Sequence, residues 1–208
     1  MTRVKICGIK TLEAAQAAVE AGAHALGFVF APSPRRINPE LAREIILSLP
    51  PFVTKVGVFV DEQRHVVEEL GTFCKLDVLQ FSGSEPLEYC RRWSYQTIKA
   101  FQVGEDWDPA VLSRYEVDAC LLDAKVKGLA GGSGMTFDWS KALEAKELGK
   151  PLILAGGLDP GNVEEAIRLV RPYAVDVSSG LERNGEKQPD LIRQFMQAAR
   201  RSSDEFPG

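Results

Sequence analysis

The feature that most constrains this chain is a repeated alternation. A short run rich in Val, Ile, Leu and Phe is followed by a stretch with helical spacing, over and over from one end to the other. The first run, 4–9, leads into 11–22, where Thr11 can cap a helix and Gly22 can close it. Further runs at 25–30, 55–60, 77–81, 97–103, 119–124, 151–157 and 174–180 are each followed by a helix-spaced segment, which makes eight strand–helix units. Near-continuous apolar strands separated by helices predict a parallel sheet covered on both faces. Eight units in 208 residues fit a compact (β/α)8 TIM barrel of the α/β class, although periodicity alone also permits an open, doubly wound flavodoxin-like or Rossmann sheet. No GxGxxG turn follows the first strand and no P-loop occurs. With no dividing linker, residues 1–208 read as a single domain, with a polar tail near 201–208 that should fray.

Charge and cysteine usage narrow the function classes. The formal net charge of -4 argues against a protein built to coat a phosphate backbone, so nucleic acid is not an expected partner and a small molecule is. Cys7, Cys74, Cys90 and Cys120 are irregularly spaced, and only His24 and His65 could assist them, so neither a metal site nor a disulfide framework is expected. Lys10 and Glu13 interrupt the first apolar stretch, which excludes a secretory leader there, and no apolar run reaches membrane-spanning length. A reducing cytoplasm is the expected location.

In a barrel of this kind the site lies at the C-terminal ends of the strands. Cys7 closes the first strand, Arg35 follows the second, Asp123 closes the sixth, Gly156 and Gly157 close the seventh, and Asp176, Ser178, Ser179 and Gly180 end the eighth. Glycines and hydroxyls after strands 7 and 8 suit a phosphate, since backbone amides can approach it closely. Strand alternation would let only one of Ser178 and Ser179 point inward. Asp123 on an otherwise uncharged strand reads as a structural carboxylate or a catalytic acid. Cys7 opposite it reads as a small hydrophobe or a base. Arg35 reads as a solvated arginine or a fork for a carboxylate. The glycine-rich stretch 125–136 is equally a mobile lid or a plain connection.

The stretches KICGIKT (5–11), GFVF and SPRRI (27–37), VGVFV (56–60), LLDA (121–124), GGSGMTFDW (131–139), LAGGLDPGNV (154–163) and DVSSGLE (176–182) together resemble the phosphoribosylanthranilate isomerase family of tryptophan biosynthesis. The resemblance spans nearly the whole chain in order. It implies an Amadori rearrangement of a phosphorylated substrate without a cofactor. Cys7 would be the general base and Asp123 the general acid, and Arg35 would hold the anthranilate carboxylate. Asp176 would lie near the substrate's amino or sugar groups, and Gly156, Gly157, Ser178, Ser179 and Gly180 would surround the phosphate. Gly8 would leave room beside the base for substrate or backbone. Family members exist as monomers or homodimers, and the resemblance does not choose between them.

Two departures stand out. The family often carries a histidine after strand 4, where this chain has Phe81-Ser82, and the segment after strand 8 reads NGEKQPD, in which Lys187 receives no role. The related sugar isomerase of histidine biosynthesis uses aspartates on strands 1 and 5. Here strand 1 ends in Cys7 and no Asp follows strand 5 before Asp106, so that alternative is disfavoured. A barrel that binds a phosphosugar without turning it over is the remaining alternative.

Overall fold

A computed structural model describes residues 1–104, 107–124, 140–147 and 149–204. Eight parallel strands close into a barrel: β1 Arg3–Cys7, β2 Ala25–Val29, β3 Thr54–Phe59, β4 Val78–Phe81, β5 Gln96–Val103, β6 Ala119–Ala124, β7 Leu152–Ala155 and β8 Ala174–Val177. Closure comes from β8 pairing with β1, in a register that sets Lys5 beside Asp176. The open-sheet alternative is thereby excluded.

Helices alternate with the strands: α1 Leu12–Glu20, α2 Pro39–Ser48, α3 Arg64–Cys74, α4 Leu87–Cys90, α5 Val111–Arg114, α6 Ser140–Lys146, α7 Val163–Val170 and α8 Pro189–Asp204. Their starts follow local chemistry. The Thr11 hydroxyl accepts from the Ala14 amide, and the Asn38 side chain accepts from the amides of Glu40 and Leu41 just ahead of a helix that opens with Pro39. Two helices are much shorter than the spacing predicts. After α4 the chain is anchored by aromatic packing instead, with Trp93 5.2 Å from Phe81 and the Arg64 guanidinium 3.9 Å above the Trp93 ring. The segment 181–188, which joins the last barrel strand to α8, contains a hairpin, β9 Glu182–Arg183 and β10 Glu186–Lys187. α8 runs on to Asp204, and the end of the tail, 205–208, lies outside the described residues, as does the glycine-rich 125–136.

Alternation along the strands sorts side chains into two layers. Leu26, Phe28, Phe59, Leu79, Phe81, Leu122, Leu154 and Val175 face outward and pack with helix residues such as Ile45, Val67, Ile167, Ile192 and Phe195. The opposite set fills the barrel. Val56, Val78, Ile98, Ala119, Leu121, Ile153 and Ala174 form its apolar plug, above which Cys7 packs with Val29, Ala31 and Val58. Among the described residues no helix is long and apolar enough to cross a membrane.

Candidate active site

The strand ends open into a cavity of about 890 Å3 lined by Cys7, Arg35, Gln80, Asp123, Gly156, Gly157, Asp176, Ser178 and Ser179, among others. Eight of the nine residues singled out from the sequence therefore meet in one place. The exception is Gly180. A side chain there would run into the Leu158 carbonyl, so this glycine lets the turn after β8 press against the loop after β7 without itself facing the cavity.

Each placement has a local cause. On β6, Asp123 shares the inward face with Ala119 and Leu121, as alternation requires. On β1, Lys5 and Cys7 share the inward face because Val4 and Ile6 take the outward one. Gly8 has φ +80°, and a Cβ on it would lie 2.7 Å from the Arg35 side chain. The room that Gly8 leaves is thus filled by the Arg35 stem. Gly156 and Gly157 both have positive φ, 86° and 68°, and among the described residues no atom beyond the chain neighbours lies within 4 Å of where a Gly157 side chain would begin. Here glycine is needed for the turn, and the backbone stays accessible to a ligand.

Ser178 and Ser179 both border the cavity, at the turn that follows β8. The strand ends at Val177 and a 3-10 turn covers Ser179–Leu181, so strict alternation no longer applies. The Ser178 hydroxyl donates to the Cys7 carbonyl at 3.1 Å, which ties the end of β8 to the end of β1.

Sequence reasoning missed the charged framework around these groups. Arg35 is not a free solvated side chain: its Nε and Nη2 donate to the two Glu182 carboxylate oxygens at 2.7 and 2.8 Å. Lys187, given no role above, donates to the same carboxylate at 2.5 Å and to the Ser178 carbonyl at 3.1 Å. Burial would raise the Glu182 carboxyl, but the hydrogen bonds and charges of Arg35 and Lys187 prevail and bring it down to about 2. Inside the barrel, Lys5 Nζ donates to Gln80 at 2.8 Å and to Asp176 at 3.0 Å. The second Asp176 oxygen is buried without a hydrogen-bond partner among the described residues. Burial pushes the Cys7 thiol up, opposed by Lys5 and Lys187 and reinforced by Asp176. A charge inside an apolar strand run was the available signal for Lys5. Nothing comparable marked Glu182, whose partner Arg35 lies 147 positions away in sequence.

Such a cavity has an acid and a thiol at its wall, a glycine-rich rim suited to phosphate, an arginine fork, and one unsatisfied buried carboxylate oxygen that can accept from a donor on a ligand. Comparison with known proteins fits this chemistry. The family model for N-(5'-phosphoribosyl)anthranilate isomerase matches residues 4–198. The N-(5'-phosphoribosyl)anthranilate isomerase of Moorella thermoacetica is 55% identical over 205 residues, covering 98% of this chain and 92% of its own. The crystal structure of the Thermotoga maritima phosphoribosyl anthranilate isomerase superposes with a TM-score of 0.89 at 46% identity, covering 96% of this chain and 99% of that one. Another isomerase structure, in complex with reduced 1-(o-carboxyphenylamino)-1-deoxyribulose 5-phosphate, gives a TM-score of 0.86 at 44% identity, with coverage of 96% and 99%. The chain therefore belongs to the N-(5'-phosphoribosyl)anthranilate isomerase family.

Proposed function

We propose that this chain performs its family's reaction in tryptophan biosynthesis, turning N-(5-phosphoribosyl)anthranilate into 1-(2-carboxyphenylamino)-1-deoxyribulose 5-phosphate, with Asp123 as general acid and Cys7 as general base. The observation that carries the reading is the presence of both groups on the wall of one cavity that also takes in the turns after β7 and β8. Asp123 gives its proton to the ribose ring oxygen as the bond from that oxygen to C1' breaks, and the electron pair on the anthranilate nitrogen forms the C1' iminium. The iminium makes the C2' proton acidic, and Cys7 takes it, leaving an enolamine that tautomerises to the ketone. Arg35, held in place by Glu182, offers Nη1 to the anthranilate carboxylate. The unsatisfied Asp176 oxygen accepts from the substrate's amino or sugar donors. The amides and hydroxyls of 156–157 and 178–179 receive the phosphate. Four free cysteines suit a reducing cytoplasm, and the active unit is a single-domain monomer or homodimer.

Loss of the substrate's fluorescence on adding the purified protein, with no metal or nucleotide supplied, tests the reading. The expected result is turnover well above the spontaneous background, with Cys7→Ser and Asp123→Asn each lowering kcat by at least about a hundredfold. Substrate binding without turnover would favour the phosphosugar-binding alternative, and near wild-type rates in both variants would remove the roles assigned to these residues.

A further inference from the structure

Burying a lysine inside a barrel is costly unless its charge is paired and hydrogen-bonded. Lys5 is only 3% exposed, and its ammonium is fixed on two sides, by Gln80 and by Asp176. It stands two residues before Cys7 on the same inward face of β1. Across the β1–β2 ladder, Cys7 pairs with Gly27. A Cβ on Gly27 would lie 2.8 Å from the Cys7 sulfur and 3.2 Å from Lys5 Cε, so the absence of a side chain there lets the thiol and the lysine head approach each other.

We propose that Lys5 is a positioning residue for Cys7, its fixed ammonium serving as the counter-charge that lets the buried thiol carry negative charge. This rests on the role given to Cys7 above. Other charges also face the thiol: Asp176 from β8, Lys187 from β10 and Arg35 from the loop after β2, with Asp123 of β6 on the same cavity wall. Lys187 and Arg35 share the one Glu182 carboxylate, at 2.5 and 2.7 Å, and of the two lysines Lys5 acts on the thiol more strongly than Lys187. Among the described residues, the ion-pair partner of Lys5 is Asp176. Burial works against the Lys5 charge, yet the Asp176 carboxylate keeps its ammonium above the ordinary lysine value, so it stays protonated through the working range. The two members of this ion pair therefore act on the thiol with opposite signs: Lys5 favours the thiolate and Asp176 opposes it.

That opposition supplies the test. The rate of Cys7 alkylation by iodoacetamide is followed against pH in the free, folded protein, reading the Cys7 peptide by mass spectrometry. Cys74, Cys90 and Cys120, each buried with its thiol pushed up to about 11, serve as controls in the same samples. Lys5→Met is expected to lower the Cys7 rate at a given pH by about tenfold or more, the equivalent of one pKa unit. Asp176→Asn is expected to raise it. If the ion pair only holds the barrel together, breaking it from either side moves the profile the same way, and that result overturns the proposal. Should Lys5→Met not fold, Asp176→Asn still decides, since a profile unchanged or moved to higher pH overturns it. The readout needs no substrate. An alkylation result as expected from a protein without isomerase turnover would leave the Lys5 assignment standing and remove the catalytic reading instead.

Discussion

Glu182 shows how one residue can hold a site without touching the chemistry. Its carboxylate takes a two-bond grip on Arg35 and a third bond from Lys187, with its side chain only 9% exposed. Its carboxyl is lowered from an ordinary 4.5 to about 2. A lowered value in the fold means that the ionised form contributes stability fully above the unfolded value and loses it as pH falls from about 4.5 towards 2. Glu182→Gln should therefore cost about 1–3 kcal/mol at neutral pH, the scale of hydrogen bonds to a charged group, with the deficit shrinking across that acidic window. Urea midpoints of both proteins at neutral pH and at about pH 3 check this, and a deficit that stays constant between them would show that the carboxylate's charge is not what stabilises. In kinetics the same variant should raise KM more than it lowers kcat, because it loosens Arg35 and leaves Cys7 and Asp123 in place.

At the level of elements, the loops after β3 and β4 are organised by a pair that neither loop reveals by itself. Lys99 of β5 donates to Glu85 at 2.8 Å and to the Gly83 carbonyl at 2.7 Å, while Glu85 accepts from the amides of Asp61 and Gly83. Both side chains are almost wholly buried. Lys99→Met leaves a buried carboxylate without its cation, which should cost about 3–5 kcal/mol in urea unfolding. Adding Glu85→Gln should restore part of the loss. A double variant as weak as the sum of its singles would mean that the pair is not coupled. Pairing across 14 positions explains why sequence reading passed it over, whereas the eight strands were legible because apolar runs are written locally. The hairpin of β9 and β10 was legible too, had the Asn184-Gly185 turn been weighed: both residues adopt positive φ, 54° and 78°, as a two-residue hairpin turn prefers. The shortened α4 and α5 were not, because aromatic contacts to the strand before each, Phe81 with Tyr89 and Phe101 with Tyr115, anchor these segments where helical spacing predicts further turns.

For the whole molecule, the same closure that stabilises the barrel assembles the site. β8 pairs with β1, Ser178 holds the Cys7 carbonyl, and Lys187 and Glu182, in the hairpin that follows the last barrel strand, organise Arg35 from the second unit. A ligand on the turns after β7 and β8 thus binds where the two ends of the chain meet, and binding there stabilises the closed fold by mass action. Inorganic phosphate, standing in for the substrate's phosphate, should raise Tm, each tenfold rise in its free concentration above the dissociation constant adding about 1.4 kcal/mol. Gly157→Ala separates the two contributions. With φ at 68° and open space among the described residues, an alanine there meets backbone strain rather than a described neighbour, a basal cost of about 1–2 kcal/mol. Relief of that strain displaces the turn, so the phosphate-dependent rise in Tm should shrink as well. Differential scanning calorimetry over a phosphate titration separates the outcomes: a lower starting Tm with an unchanged phosphate slope would place the anion away from this turn.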